Sequence, residues 1–160
     1  MSLLGVNSDF FSLDIGTNGI RVVQLKGGHN KSLYRYAAMP IDRKVSQSDA
    51  PADKQKLKEA VRTIIKQSGI TTKNVVVGIP SGKTFVTVVD LPKLSEKEMN
   101  KSISYQADQY IQTSADDSKI DWAILGDSPA ENTKSEVLIA SVRNSYSEDR
   151  LDMLEGLDLN

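Results

Sequence analysis

The stretch FSLDIGTNGIRVVQL, residues 11–25, limits more than any other what this chain can fold into. Two apolar segments flank one polar turn. Phe11 and Leu13 lead in, Ile20, Val22, Val23 and Leu25 lead out, and Asp14, Gly16, Thr17, Asn18 and Gly19 lie between them. Such a pattern predicts a β-hairpin. The turn suits close approach of an anion or a metal-bound anion. Its glycines admit positive φ and carry no Cβ, and successive backbone N–H groups in a turn can form an anion nest. Asp14, at the end of the first strand, can hold a hydrated divalent cation beside a phosphate. Thr17 and Asn18 add short polar side chains. The same residue types also fill ordinary turns because they suit turn geometry, and the residues alone leave both readings open.

The rest of the chain alternates strand and helix patterns. Gly27-Gly28 makes a turn, and residues 32–39, SLYRYAAM, read as a third strand with Tyr34 and Tyr36 on one face, ended by Pro40. Residues 42–53 read as a loop. Residues 53–68 predict a helix, with Leu57, Val61, Ile64 and Ile65 on one face and Gly69 as its stop. Residues 74–79, NVVVGI, read as a strand of the kind buried on both faces, and residues 83–90 as the next strand, with a hairpin turn between them. The Gly82-Lys83-Thr84 in that turn is not a nucleotide P-loop. Gly78 stands one residue too close, and a strand follows where the motif requires a helix. Ser95 with Glu98 forms a capping-box signature. It opens a helix to about residue 111 with Met99, Ile103, Ala107, Tyr110 and Ile111 as its apolar face. Residues 120–126, with the only tryptophan, and 135–142 read as strands. Residues 144–155 read as a last helix, with Leu151 and Leu154 inward and Gly156 as its cap; a further strand starts at 157–160. Residues 1–9 read as a poorly ordered lead. The order of elements is an α+β pattern with unpaired strand edges at its end.

Composition narrows the function classes. A chain of 160 residues can bury a real core as one domain or two small ones. Net charge is −1, with acids and bases interspersed, and no basic stripe suited to neutralising nucleic-acid phosphates is expected, so nucleic acid is not the expected main partner. With no cysteine there is no disulfide, thiolate metal site or Cys nucleophile. His29 is the only histidine and lies in a polar turn, which argues against a Ser-His-Asp triad or a multi-histidine metal site. No apolar run reaches the roughly 18 residues of a membrane span, and residues 1–14 lack the basic and apolar regions of a signal peptide. A soluble, cytoplasmic protein is expected.

The Asp14-x-Gly16-Thr17 turn followed by Ile20-Arg21-Val22-Val23 resembles the first phosphate motif of the actin, hexokinase and Hsp70-type ATPase superfamily. More narrowly, FSLDIGTNGIRVVQL resembles the start of the PilM family of actin-like type IV pilus assembly proteins, itself similar to the FtsA cell-division family. The segments NVVVGIPS, VDLPKLSEKE, DWAILG, VLIASVR and LEGL resemble the family pattern in the same order, so the likeness runs from Phe11 essentially to the end. Two features depart from it. The family reads E-x-Y-I-P-F where this chain has Asp108-Gln109-Tyr110-Ile111-Gln112-Thr113, and family members are longer, with a second half carrying another phosphate loop and an adenosine pocket.

The resemblance implies an actin-like ATPase (ribonuclease H-like) first subdomain, incomplete over residues 1–73 and 145–160, with an inserted small α/β subdomain over residues 74–144. It implies a cofactor site at Asp14, Gly16, Thr17, Asn18 and Gly19, with magnesium held through water by Asp14. ATP and magnesium are expected in the full-length protein and not in this fragment, because one hairpin offers too few contacts for useful affinity. No catalytic residue is expected, and at most a weak ATPase at full length. The implied partner is the N-terminal cytoplasmic tail of a PilN-type inner-membrane protein. Its groove lies between the first and inserted subdomains, with the strand at 83–90 and the helix at 95–111 as candidate walls. Other pilus assembly proteins, a homodimer through exposed strand edges, and only indirect membrane contact at the inner face of the cytoplasmic membrane complete that reading. The alternatives are an FtsA-like cell-division protein, a sugar kinase of the same superfamily, or a standalone peptide-binding module.

Overall fold

A computed structural model describes residues 9–111 and 113–160. Residues 1–8 of the expected poorly ordered lead and Gln112 of the departing 108–113 segment lie outside the described residues. The chain forms two compact units, one through Pro80 and again over Leu151–Asn160, the other over Ser81–Arg150.

In the first unit, β1 (Phe11–Ile15) and β2 (Gly19–Lys26) form the expected hairpin, with Leu13 opposite Val22 and Ile15 opposite Ile20. β3 (Ser32–Pro40) continues antiparallel to β2, past an irregularity at Gln24/Leu25. β4 (Val75–Gly78) pairs with β1 in parallel, which gives the order β3-β2-β1-β4. Alternation sends Phe11, Leu13, Ile15, Ile20 and Val22 to one face, where they are buried. Between β3 and β4 lie α1 (Arg43–Gln47) and α2 (Pro51–Ser68). Leu57, Val61 and Ile64 of α2 pack into the same core, joined by Met153, Leu154 and Leu159 from the chain's last residues. α2 begins before the expected residue 53 because Pro51 suits the first helical position, where its missing N–H is not needed. It stops at Gly69, whose φ of 68° is the left-handed conformation that glycine adopts without strain.

The second unit is a three-stranded antiparallel sheet, β5-β7-β6, made of β5 (Thr84–Pro92), β6 (Ser118–Asp127) and β7 (Lys134–Arg143). α3 (Glu96–Ala107) packs Met99, Ile103 and Ala107 against Leu91, Val137 and Ile139. The capping box is formed in full: Glu98 N–H donates to Ser95 Oγ, while Ser95 N–H donates to Glu98 Oε2 at 2.9 Å. α4 (Asn144–Glu155) follows β7.

Several expectations give way. The segment 42–53 is not all loop, because the Asp42 carboxylate accepts from Lys44 N–H at 2.8 Å and caps α1. β4 is not buried on both faces: it is an outer strand of its sheet among the described residues, and Val76 is 54% exposed. The turn after it is no hairpin. β4 and β5 belong to different sheets, and a short 3-10 turn, Ser81–Lys83, connects them. Leu151 is exposed, and Met153 takes the inward place beside Leu154. Tyr110 is 40% exposed. By contact the units divide at 80/81, where β4 joins β1, and at 150/151.

Candidate functional site

The turn between β1 and β2 brings all five expected residues together. Asp14 stands across from Arg21 on β2 and across from Gly78 on β4. The Arg21 guanidinium donates to Asp14 Oδ2 at 2.9 Å, and both side chains are more than half exposed. Such a solvated pair contributes about 0–1 kcal/mol. Its effect is local, since it holds the carboxylate in place and offsets its charge.

At the turn, space is tight at Gly16 and near ordinary contact at Gly19, and handedness requires glycine at neither. A Cβ on Gly16 would lie 3.2 Å from Gly19 O and 3.4 Å from Arg21 Nη1, and one on Gly19 would lie 3.4 Å from Met39 O. Neither residue has positive φ; among the described glycines only Gly27 and Gly69 do. The expected positive-φ route to an anion nest is therefore not used. The backbone is held by its neighbours instead. Gly16 N–H donates to Gly19 O at 2.9 Å, Ile41 N–H to Asn18 O at 3.2 Å, and Ser46 Oγ of α1 to Thr17 O at 2.7 Å. A planar trans peptide points its C=O and N–H in opposite directions. With the Thr17 and Asn18 carbonyls turned to these donors, the N–H groups of Asn18 and Gly19 point the other way.

Ser46 and Arg21 are the two contributors that residue reading of the turn left out. Arg21 was discoverable, because a hairpin closing between Ile15 and Ile20 sets residues 14 and 21 opposite each other. Ser46 had no local signal, since it reaches the turn only after β3 and α1 fold back on it.

The turn offers a phosphate small residues and short polar side chains. It offers a cation a single carboxylate, already engaged by Arg21. No cluster of three or more His, Asp or Glu side chains able to hold a metal occurs among the described residues. A magnesium ion here would rest on Asp14, water and the phosphate itself.

The second unit carries the other candidate surface. The helix expected to wall a groove spends Met99, Ile103 and Ala107 on its own core. β5 differs. Among the described residues it is an outer strand of its sheet, and Val86 and Val88 are 56% and 48% exposed. An open strand edge bordered by apolar side chains is what an added extended peptide pairs with. Trp122 of β6 donates from Nε1 to Asn100 Oδ1 of α3 at 3.3 Å. Among the described residues no helix is long and apolar enough to cross a membrane.

The sequence matches the family described as type IV pilus assembly protein PilM over residues 12–160. Among solved structures, the fold is similar to a chain of a PilM-PilN type IV pilus biogenesis complex, with a TM-score of 0.82 and 19% identity, over 96% of this chain and 46% of that one. It is also similar to the cytoplasmic domain of EpsL, an inner-membrane component of the type II secretion system of Vibrio cholerae. There the TM-score is 0.58 and the identity 14%, over 95% of this chain and 54% of that one. The chain thus spans about half the length of the structures it matches.

Proposed function

The chain belongs to the type IV pilus assembly protein PilM family, and from that premise we propose that it is part of an actin-like scaffold that holds the N-terminal tail of a PilN-type inner-membrane protein at the cytoplasmic face of the membrane. The family match over residues 12–160 is the observation that carries this reading. Its likeness in fold to a chain of a PilM-PilN complex agrees with it. The open edge of β5, with Val86 and Val88 exposed, supplies a chemistry for it. Backbone pairing gives a partner strand its affinity, and alternate side chains give it selectivity.

In the same reading ATP and magnesium belong to the longer protein. The β1–β2 turn contributes Asp14, Gly16, Thr17, Asn18 and Gly19 to one side of the phosphates. Asp14 must exchange Arg21 for the hydrated ion, and the remaining contacts come from residues outside this chain. The protein acts as an adaptor whose nucleotide shapes it, with at most slow hydrolysis.

The test is a titration of this chain with a synthetic peptide matching the N-terminus of the cognate PilN-type protein, followed through Trp122 fluorescence. Saturable binding, absent with a scrambled peptide, is the expected result. No binding, either by the folded chain or by the longer protein with magnesium-ATP, overturns the assignment.

A further inference from the structure

Charge is distributed unevenly in this chain. Residues 15–41 contain Arg21, Lys26, Lys31 and Arg35 and no acidic residue, although the whole chain carries a net −1. Arg21 is matched by Asp14, whereas Lys26, Lys31 and Arg35 form no ion pair among the described residues. Lys26 and Lys31 lie at the far end of the β2–β3 hairpin, opposite to the end with the Asp14 turn, while the half-buried Arg35 guanidinium reaches back to Ser68 O at 3.5 Å. Beyond the buried Gln24 every residue from Leu25 to Tyr34 is exposed, so the hairpin runs past its own core. Its exposed residues include Leu25 at 48%, Leu33 at 58%, Tyr34 at 45% and Tyr36 at 69%. Leu25 and Leu33 face each other across the two strands. Lys26 Nζ sits 3.8 Å from the centre of the Tyr34 ring, and the Arg35 guanidinium lies 5.0 Å from it.

We propose that the tip of the β2–β3 hairpin docks directly on an anionic lipid surface, with Leu25, Leu33 and the tyrosines entering the interface and Lys26 and Lys31 meeting lipid phosphates. The combination of side chains selects this occupant. Cations unmatched by carboxylates require an anionic partner, and each one near an anionic bilayer strengthens binding about fivefold. Exposed leucines gain from burial at the acyl boundary. Tyrosines prefer a site with one end apolar and the other wet, and long basic stems lie along apolar surface while their heads reach phosphate. A soluble acidic protein would satisfy the cations but would not need two opposed leucines at the same tip. This contact is independent of any tether through a membrane partner, so it stands or falls apart from the function proposed above.

The experiment is co-sedimentation of the chain with phosphatidylcholine vesicles, with and without phosphatidylglycerol, and no other protein present. Binding is expected only with phosphatidylglycerol, weakening as salt rises. Lys26→Ala with Lys31→Ala should lower it at least tenfold, and Leu25→Ser with Leu33→Ser should also lower it. All four sites are exposed, and unchanged circular dichroism of the variants confirms that they fold. Soluble polyglutamate serves as the rival ligand. Absence of vesicle binding by the folded chain overturns the proposal, as does binding that ignores the lysine changes. Polyglutamate binding as tight as vesicle binding and indifferent to the leucine changes overturns it in favour of an acidic protein partner.

Discussion

Gly69 and Ser95 show how much of this fold rests on single residues at helix ends. Gly69 has φ 68°, and a Cβ there would collide with the Arg35 guanidinium. Left-handed backbone costs a non-glycine residue about 1–2 kcal/mol. Gly69→Ala should therefore lower stability by at least that much, read as a lower denaturation midpoint at unchanged slope. At the start of α3, the Glu98 carboxyl is held below the usual glutamate range, first by the Ser95 hydroxyl at 2.6 Å and then by the Ser95 N–H. A depressed folded-state value means that this contribution is complete above the ordinary glutamate pKa. It is lost as pH falls toward the lower folded value. Ser95→Ala should remove about 1 kcal/mol near neutral pH and flatten the acid limb of a stability–pH curve. An unchanged limb would show that the box does not persist in solution. Both residues were legible in the sequence because caps are local chemistry. The tight space at Gly16 was not, because it comes from Gly19 O and Arg21, which the hairpin brings to it.

Among elements, α4 illustrates what periodicity misses. Leu151 and Leu154 are spaced for one helical face, yet Leu151 is 54% exposed and Leu154 is 8% exposed. The core of the first unit receives Met153 and Leu154, and nothing covers the Leu151 side among the described residues. Leu154→Ala should cost about 2–5 kcal/mol, whereas Leu151→Ala should stay within about 0.5 kcal/mol. Equal losses in chemical denaturation would place both leucines in the core. β4 is a similar case. Its run of valines suits burial on both faces, but burial depends on whether an element covers the second face, and that face is open on the inner strand β1 as well, where Ser12 beside Val76 is exposed. α1 escaped sequence reading because a five-residue helix has too little periodicity to detect. Its cap, Asp42, was the only usable signal.

At the level of the whole molecule, each unit has its own core, one centred on Phe11, Val61 and Ile64, the other on Met99, Val137 and Ile139. Calorimetry should accordingly show a measured unfolding enthalpy larger than the van't Hoff value, as expected when unfolding is not two-state. Phe11→Ala should shift one transition, with a loss of about 3–5 kcal/mol, and Met99→Ala the other, with a loss of about 2–5 kcal/mol. A single transition moved equally by either variant would indicate one cooperative body. The first core also draws on the chain's last residues. Leu159 is buried in it, while Asn160 N–H donates to Lys73 O and Val75 N–H to Asn160 O, each at 2.8 Å.

By itself the sequence determined β1 to β7, the two long helices, the stop of α2 and the cap of α3, and the polar turn at Asp14, together with family membership, but the strand expected at 157–160 is not formed. All of these follow from periodicity, capping chemistry or motif order, and each depends on residues close in the chain. Only the tertiary structure decided which sheet β4 joins, where one unit gives way to the next, and that Arg21 and Ser46 hold the turn. Those outcomes depend on contacts between residues far apart in sequence, which no local pattern encodes. The strand Val75–Gly78 reads the same whether it pairs with its neighbour or with β1, and only the folded chain brings one of these edges to it.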